Sequence, residues 1–230
     1  MKKVLLAAIL AGATLTAQAG EAEVRKNLQG KVEKIDSVTK APLAGIWEVV
    51  ADGQVLYVDD SGSFGFLGSL VDLKGDRNYT AERRRDIDKS AVMGSLNLAL
   101  KQVRGNGKHV LVTFEDPNCG YCKKLAKELL KVKDVTVYTY LFPVLGPDSV
   151  EKSKAIWCAA DKSKAWVDWM TNGKALGTAP EKCDMAGLEK SMELGRRLRI
   201  NGTPAMFFAD GERVPSYMPA NEIEKRLAGS

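Results

Sequence analysis

The apolar residues change their spacing along the chain, and each change predicts a different kind of structure. Between Gly45 and Leu73 they come in short runs: Gly45–Val50, Gln54–Val58, Ser63–Phe66 and Leu70–Leu73. Asp52-Gly53 and Asp59-Asp60-Ser61-Gly62 lie between these runs and supply turn chemistry, so the segment predicts a layer of short β-strands. Ahead of it, Val24 and Leu28 stand four apart within Glu21–Lys31, the spacing of a short helix. From Ala81 a charge-rich run (Glu82 to Lys89) leads into Met93, Leu96, Leu100 and Val103. That helical spacing predicts a linker helix within 81–107, ending at Gly105-Asn106-Gly107. From Lys108 the pattern becomes compact. His109–Phe114 is an almost continuous apolar run, as a strand buried on both faces requires, and Glu115–Asn118 forms a polar corner. Lys123–Leu130 reads as a helix and Val135–Phe142 as a strand rich in β-branched and aromatic residues, which together make a parallel strand–helix–strand unit. Beyond Gly146-Pro147-Asp148-Ser149 a helical stretch is expected over Val150–Met170, with Trp157, Trp166 and Trp169 as core, then a helix over Leu188–Leu198. Ala205–Ala209 and Glu212–Val214 read as strands joined by Asp210-Gly211, and Asn221–Leu227 as a closing helix.

The resulting domain plan is a small, mostly β unit over 20–80, the linker over 81–107 and an α/β domain over 108–230. A unit of about sixty residues buries little core alone, so it invites a partner, either the rest of the chain or a second copy. Phe64, Phe66 and Leu67, with Gly65 and Gly68 among them, offer a sheet edge for such pairing. The first residues carry an address. Met1-Lys2-Lys3 is basic, Val4–Ala11 apolar, and Ala17-Gln18-Ala19 fits a small-x-small cleavage site, so 1–19 reads as a signal peptide cleaved near Ala19-Gly20. The expected location is a bacterial periplasm. The apolar run is too short for a membrane anchor, and no stable membrane insertion is expected. Net charge is +5, and Lys2 and Lys3 belong to the leader. So small and scattered a surplus does not point to nucleic acid, and Arg83-Arg84-Arg85 reads as a solvated face.

Export changes the meaning of the cysteines, which are Cys119, Cys122, Cys158 and Cys183. In an oxidising compartment an even count suggests disulfides, and four cysteines allow three pairings. A zinc site needs a second close pair or histidines, and the chain has a single histidine, His109, so neither metal nor cofactor is expected. Cys119-Gly120-Tyr121-Cys122 stands where a strand hands over to a helix. A helix N-terminus stabilises a thiolate, the species that attacks disulfides. Cys119 is then the nucleophile, with a pKa below the free value of ~8.5. Cys122, one turn in, is placed to resolve a mixed disulfide. Lys123 and Lys124 add positive charge nearby. A structural staple or half a metal site is the bland alternative.

Thr203-Pro204, some eighty residues on and leading into a β-hairpin, adds to this picture. With it, the span from Lys108 resembles a thioredoxin-fold domain, in which a cis-proline loop faces the dithiol. Cys119-Gly120-Tyr121-Cys122, Ala155-Ile156-Trp157-Cys158-Ala159, Cys183, Gly202-Thr203-Pro204-Ala205 and the N-terminal Gly53-Gln54-Val55-Leu56-Tyr57-Val58 together resemble the periplasmic DsbC/DsbG disulfide isomerase family. The resemblance covers nearly the whole mature chain. It implies an α/β (α+β) protein: a thioredoxin-fold domain with inserted helices, behind a mostly-β dimerisation domain and a linker helix. It also implies a homodimer acting on misfolded, disulfide-containing exported proteins and kept reduced by a membrane thiol reductase of the DsbD type. Tyr121, Thr203 and Pro204 would then meet substrate. Two departures stand out. The place of the buried acid that many thioredoxins carry six residues before the first cysteine is taken by Thr113, with Glu115 and Asp116 nearby. Tyr121 occupies the slot of the histidine in the C-P-H-C oxidases, which disfavours a strong oxidase. Cys158 and Cys183 read most simply as a structural disulfide, with a second redox couple as the alternative. The expected function is disulfide isomerisation; the rivals are a dedicated reductase for one partner and a chaperone-like module whose dithiol is incidental.

Overall fold

The computed structural model describes residues 20–229; the signal peptide expected at 1–19 lies outside them. The chain divides into two compact units, one ending at Arg84 and the other beginning at Arg85. The division falls inside a helix, α2 (Tyr79–Met93).

In the first unit a helix, α1, is described over 20–28. It packs on a four-stranded sheet of order β1 (Ile35–Lys40), β2 (Ile46–Ala51), β3 (Gln54–Asp59) and β4 (Gly65–Phe66), with antiparallel neighbours. Val24 and Leu28 meet Trp47, Val49 and Ala51 of β2 and Val58 of β3, so the residues predicted four apart form one buried stripe. Asp52 and Gly53, both at positive φ, close the β2–β3 hairpin in the conformation its twist favours. Asp52 also accepts the amides of Glu33 and Lys34, which ties the chain entering β1 to that turn. β1 had no counterpart among the expected strands. Of its residues only Val38 is buried, and its pairing along β2 defines it more than its own side chains do. β5 (Val71–Asp72) and β6 (Arg77–Asn78) form a separate two-stranded ribbon. Along the short edge strand β4, Phe64 is 80% and Leu67 66% exposed, so large apolar side chains stand in solvent at the sheet margin.

The second unit is built on a five-stranded sheet of order β11-β10-β8-β9-β7. β8 (His109–Glu115) and β9 (Val135–Leu141) are parallel and joined through α3 (Gly120–Leu129), as the strand–helix–strand pattern predicts. β7 (Leu100–Val103) and β10 (Ala205–Phe208) add antiparallel, and β11 (Arg213–Val214) completes the far edge. The helices α4 (Pro147–Trp157), α5 (Lys162–Asn172), α6 (Ala186–Arg197) and α7 (Ala220–Ala228) complete the unit. Alternation along β8 separates two cores. Leu111 faces Leu125 and Leu129 of α3, while Val112 and Phe114 face Val92, Leu194 and Leu198 on the opposite side.

Two expectations fail here. The linker helix stops at Met93. Gly94-Ser95 and a 3-10 turn at Leu96–Leu98 follow, and Leu100–Val103 is strand β7, paired with β9. Leu100 is buried and Val103 56% exposed, so the helical spacing there was coincidental, and the free edge of β9 decides the outcome. The second unit accordingly begins well before Lys108. The helix expected over Val150–Met170 is two helices. α4 ends at Trp157, and the Asp161 side chain accepts from the Lys164 amide to start α5 afresh.

Candidate active site

The corner between β8 and α3 is held by Asp116. Its carboxylate is fully buried and accepts from the Asn118 amide (2.7 Å), the Ser149 hydroxyl (2.8 Å) and the Val144 and Leu145 amides (2.8 and 2.9 Å). One side chain thus ties the end of β8 to the segment leading into α4. Pro117 follows, and its carbonyl accepts from the Trp169 indole at 2.7 Å. Asn118 donates to Asp148 and Ser149 at the start of α4. The chain therefore enters α3 from a corner fixed on several sides.

Cys119 is the N-cap of α3. Its sulfur stands where a serine oxygen would, accepting from the Cys122 amide at 3.2 Å. It also donates to the Thr203 carbonyl at 3.2 Å. That meeting follows from strand pairing: β10 runs antiparallel to β8 with Ala205 opposite Phe114, so the chain entering β10 passes beside the end of β8. The Thr203–Pro204 bond is cis. The structure thus brings Cys119, Cys122, Thr203 and Pro204 together. Tyr121 stands 60% exposed, its ring centroid 6.3 Å from that of Tyr217. Tyr217, nearly a hundred residues further along, carries no sequence signal that would link it to the dithiol. On the Gly120 side there is open space, because a Cβ there would meet nothing within 4 Å.

The two thiols differ electrically. The Cys119 thiol is held down to about 6, first by hydrogen bonding from the Cys122 side chain and, against the opposing effect of burial, by the Thr203 side chain and the Cys122 and Tyr121 amides. Burial pushes the Cys122 thiol up, reinforced by Cys119 and the Glu115 carboxyl. The lysines expected to assist sit over rings: Lys123 lies 4.8 Å from the centre of Trp169 and Lys124 4.9 Å from that of Tyr121. Local hydrogen bonds, rather than lysine charge, depress the Cys119 thiol. Alkylation of the reduced protein by iodoacetamide is expected to titrate with a midpoint near 6, against ~8.5 for a free cysteine. The reactive fraction rises as pH rises through that value, and a midpoint above 8 would show that these hydrogen bonds do not act on the sulfur.

Cys158, at the end of α4, is bonded to Cys183 in the loop before α6. Trp157 donates its indole N–H to Asp184 beside that bond. Trp166 is core, as expected; Trp157 and Trp169 are only partly buried. Glu115, the last residue of β8, and Asp116 precede the dithiol. Both are buried, at 1% and 0% exposure.

Comparison with known proteins places this geometry. Residues 15–81 match the disulfide bond isomerase protein N-terminal domain, and residues 96–229 match the thioredoxin-like domain. The chain is 34% identical over 236 residues to the thiol:disulfide interchange protein DsbC of Escherichia coli, covering 99% of this chain and 96% of that one. The chain belongs to the DsbC family. A probable thiol:disulfide interchange protein DsbC of Bordetella parapertussis is 43% identical over 196 residues, covering 84% of this chain and 68% of its own length. A solved disulfide interchange protein from Neisseria gonorrhoeae aligns with a TM-score of 0.54 at 38% identity, over 59% of this chain and 96% of that one. The DsbC-family chain is thus a thiol–disulfide oxidoreductase with a thioredoxin-like domain. Among the described residues no helix is long and apolar enough to cross a membrane.

Proposed function

We propose that this DsbC-family protein is a periplasmic disulfide isomerase that works as a homodimer. The observation that carries the reading is the asymmetry of the dithiol. A sulfur poised as thiolate caps a helix beside an open face, and its partner sits buried and protonated behind it. Reduced Cys119 attacks a wrong disulfide in an exported protein and forms a mixed disulfide. A substrate thiol then displaces Cys119, which is isomerisation, or Cys122 does, which is reduction. Tyr121, Thr203 and Pro204 line the approach, and the Thr203 backbone lies where an extended substrate strand would pass. A membrane reductase of the DsbD type would return the dithiol to its reduced form. Cys158–Cys183 serves as a staple. Closing a loop with a sequence separation of 25 contributes roughly 3–4 kcal/mol in the chain-entropy model.

The apolar margin of β4 supports pairing with a second copy, because Phe64, Phe66 and Leu67 stand exposed at the outermost strand of the sheet. Two charges introduced there, Phe64→Glu with Phe66→Glu, are expected to give a monomer by light scattering. The same variant should lose on the order of ten-fold in refolding of scrambled ribonuclease while keeping reduction of a small disulfide. Failure of the wild-type protein to unscramble ribonuclease at all would remove the isomerase reading and leave the dedicated reductase. A monomeric wild-type protein would remove the dimer.

A further inference from the structure

Trp169 stands outside the buried stripe of its own helix. Trp166 and Met170, four apart on α5, are 2% and 1% exposed and pack in one cluster with Cys122, Ala126 and Leu141. These two side chains seat α5 on the core. Trp169 is only partly buried against that cluster, and its indole N–H reaches the corner between β8 and α3. There the peptide group between Pro117 and Asn118 is held at both of its polar atoms. Its carbonyl accepts from the Trp169 indole at 2.7 Å, and its N–H donates to the Asp116 carboxylate at 2.7 Å. A peptide unit is planar, so holding both atoms fixes its plane. Pro117 has no N–H of its own, which leaves the carbonyl as the one backbone group by which it can be tied. Cys119 follows directly, with its N–H on the Asp116 carbonyl at 3.1 Å and its backbone at φ −69° and ψ 119°. In that extended geometry its sulfur accepts from the Cys122 amide at 3.2 Å.

The indole ring makes a second set of contacts. Lys152 Nζ of α4 lies 4.9 Å from its centre and also donates to the Asn118 side-chain oxygen at 2.9 Å. Lys123 Nζ lies 4.8 Å from the same ring, and the Lys123 amide donates to the Cys119 carbonyl at 3.0 Å. The contacts close on themselves, from Trp169 to Pro117, Asn118 and Lys152 and back to the ring. They bear on the residues just before Cys119 and, through Lys123, on the residue just after Cys122. Packing alone does not call for an indole here. A phenylalanine would cover the same half-buried position, and an indole N–H at the surface would find water as readily. What the N–H adds is its hold on one carbonyl beside the nucleophile.

We propose that Trp169 is a positioning residue for the exchange reaction: its indole N–H sets the Pro117–Asn118 peptide and thereby keeps the Cys119 sulfur on the Cys122 amide. This rests on Cys119 as the attacking sulfur and not on which product the exchange yields. Trp169 touches no reacting atom. It acts through one peptide group, whose plane decides where the next residue points. An N–H bonds a thiolate more strongly than a thiol, so a sulfur kept on that amide is favoured in its reactive form. Without the indole N–H the Pro117 carbonyl is free to turn, the cap geometry of Cys119 relaxes, and the thiolate loses part of its donor. Trp169 thus links α5, a helix with no residue in the exchange chemistry, to the reactivity of the sulfur.

Two variants remove the N–H. Trp169→Phe keeps a ring for the two ammonium groups, and Trp169→benzothienylalanine keeps the shape of the indole, which guards against a folding defect of the first. Ile223→Val, which trims the core beneath α7, controls for general loosening. Each full-length protein is reduced, alkylated with iodoacetamide over a pH series and equilibrated with glutathione. Peptide mass spectrometry assigns the modified cysteine, and urea unfolding reports stability. Wild-type Cys119 is expected to titrate near 6. Both Trp169 variants should raise that midpoint by roughly one unit, which slows alkylation at a pH of about 6 about five-fold. They should also shift the glutathione equilibrium about five-fold toward the Cys119–Cys122 disulfide near neutrality. Ile223→Val should lose stability and keep the wild-type midpoint. A wild-type midpoint and equilibrium in the benzothienylalanine variant overturn the inference, whatever Trp169→Phe does, because the N–H is then idle. An equal shift in Ile223→Val overturns it as well. Alkylation of the wild type at Cys122 in place of Cys119 overturns the assignment of the attacking sulfur and this inference together. A wild type that cannot unscramble ribonuclease, with the Trp169 shifts present, supports the inference and removes only the isomerase reading.

Discussion

Cys119→Ser is expected to abolish disulfide exchange outright, reducing both ribonuclease unscrambling and glutathione turnover to background. No other group on the open face can replace the lost sulfur, since Cys122 is fully buried with its thiol pushed up by that burial. A serine hydroxyl at the cap would still accept from the Cys122 amide, so α3 should keep its first turn and the fold its stability. The loss would therefore be chemical. Cys122→Ser is expected to behave differently. Cys119 keeps its place at the cap and still attacks, but the mixed disulfide has no internal resolver, and covalent complexes with client proteins should accumulate on non-reducing gels. A Cys119→Ser protein with measurable turnover would remove the assignment of nucleophile. Equal trapping by both variants would remove the distinction between attacker and resolver.

The largest effect on stability is expected at Asp116, which touches no substrate. Asp116→Ala strips acceptors from the Asn118, Val144 and Leu145 amides and from the Ser149 hydroxyl. The Ser149 bond is buried and the three amide bonds partly so; at up to about 1 kcal/mol for each donor left unpaired, the cost is roughly 2–4 kcal/mol, a large part of the stability of an ordinary domain. Asparagine should rescue little, because one of its two terminal atoms would present N–H groups where the pocket already presents donors. Urea unfolding measures the loss. Alkylation of Cys119 should also move to higher pH in these variants, since the corner positions the Cys119 amide on the Asp116 carbonyl. An Asp116→Ala protein unfolding within 1 kcal/mol of wild type would mean that water replaces the carboxylate at no cost.

What the sequence made legible was what local patterns control. The continuous run of β8, the C-x-x-C at the start of α3 and the β-branched run of β9 are set by neighbours along the chain, and they appear where expected. The Thr203-Pro204 loop was legible through a resemblance, and the pairing of β10 with β8 gives it physical content. The failures are places where distant neighbours decide. β7 is a strand because β9 has an edge to fill, although its spacing suits a helix. β1 exists because β2 needs a partner. Glu115 and Asp116 looked like a polar turn, the usual reading of adjacent acids before a proline. Only the fold shows that one is buried with four donors around it and the other with an oxygen left unpaired. Tyr217 reaches Tyr121 across a separation that no spacing rule covers.

The sulfur that caps α3 has a consequence for the direction of electron flow. The hydrogen bonds donated to the Cys119 sulfur favour its thiolate, and a thiolate exists only when the dithiol is reduced. They therefore stabilise the reduced protein relative to the form with Cys119 and Cys122 joined, which makes the couple more oxidising. A couple so poised has little thermodynamic incentive to keep the oxidising equivalents of a substrate disulfide. After attack, the favoured outcome is to return to the dithiol and leave the disulfide in the client, rearranged. Helix capping, ordinarily a device for ending hydrogen-bond ladders, here tilts a redox balance toward repair without net reduction.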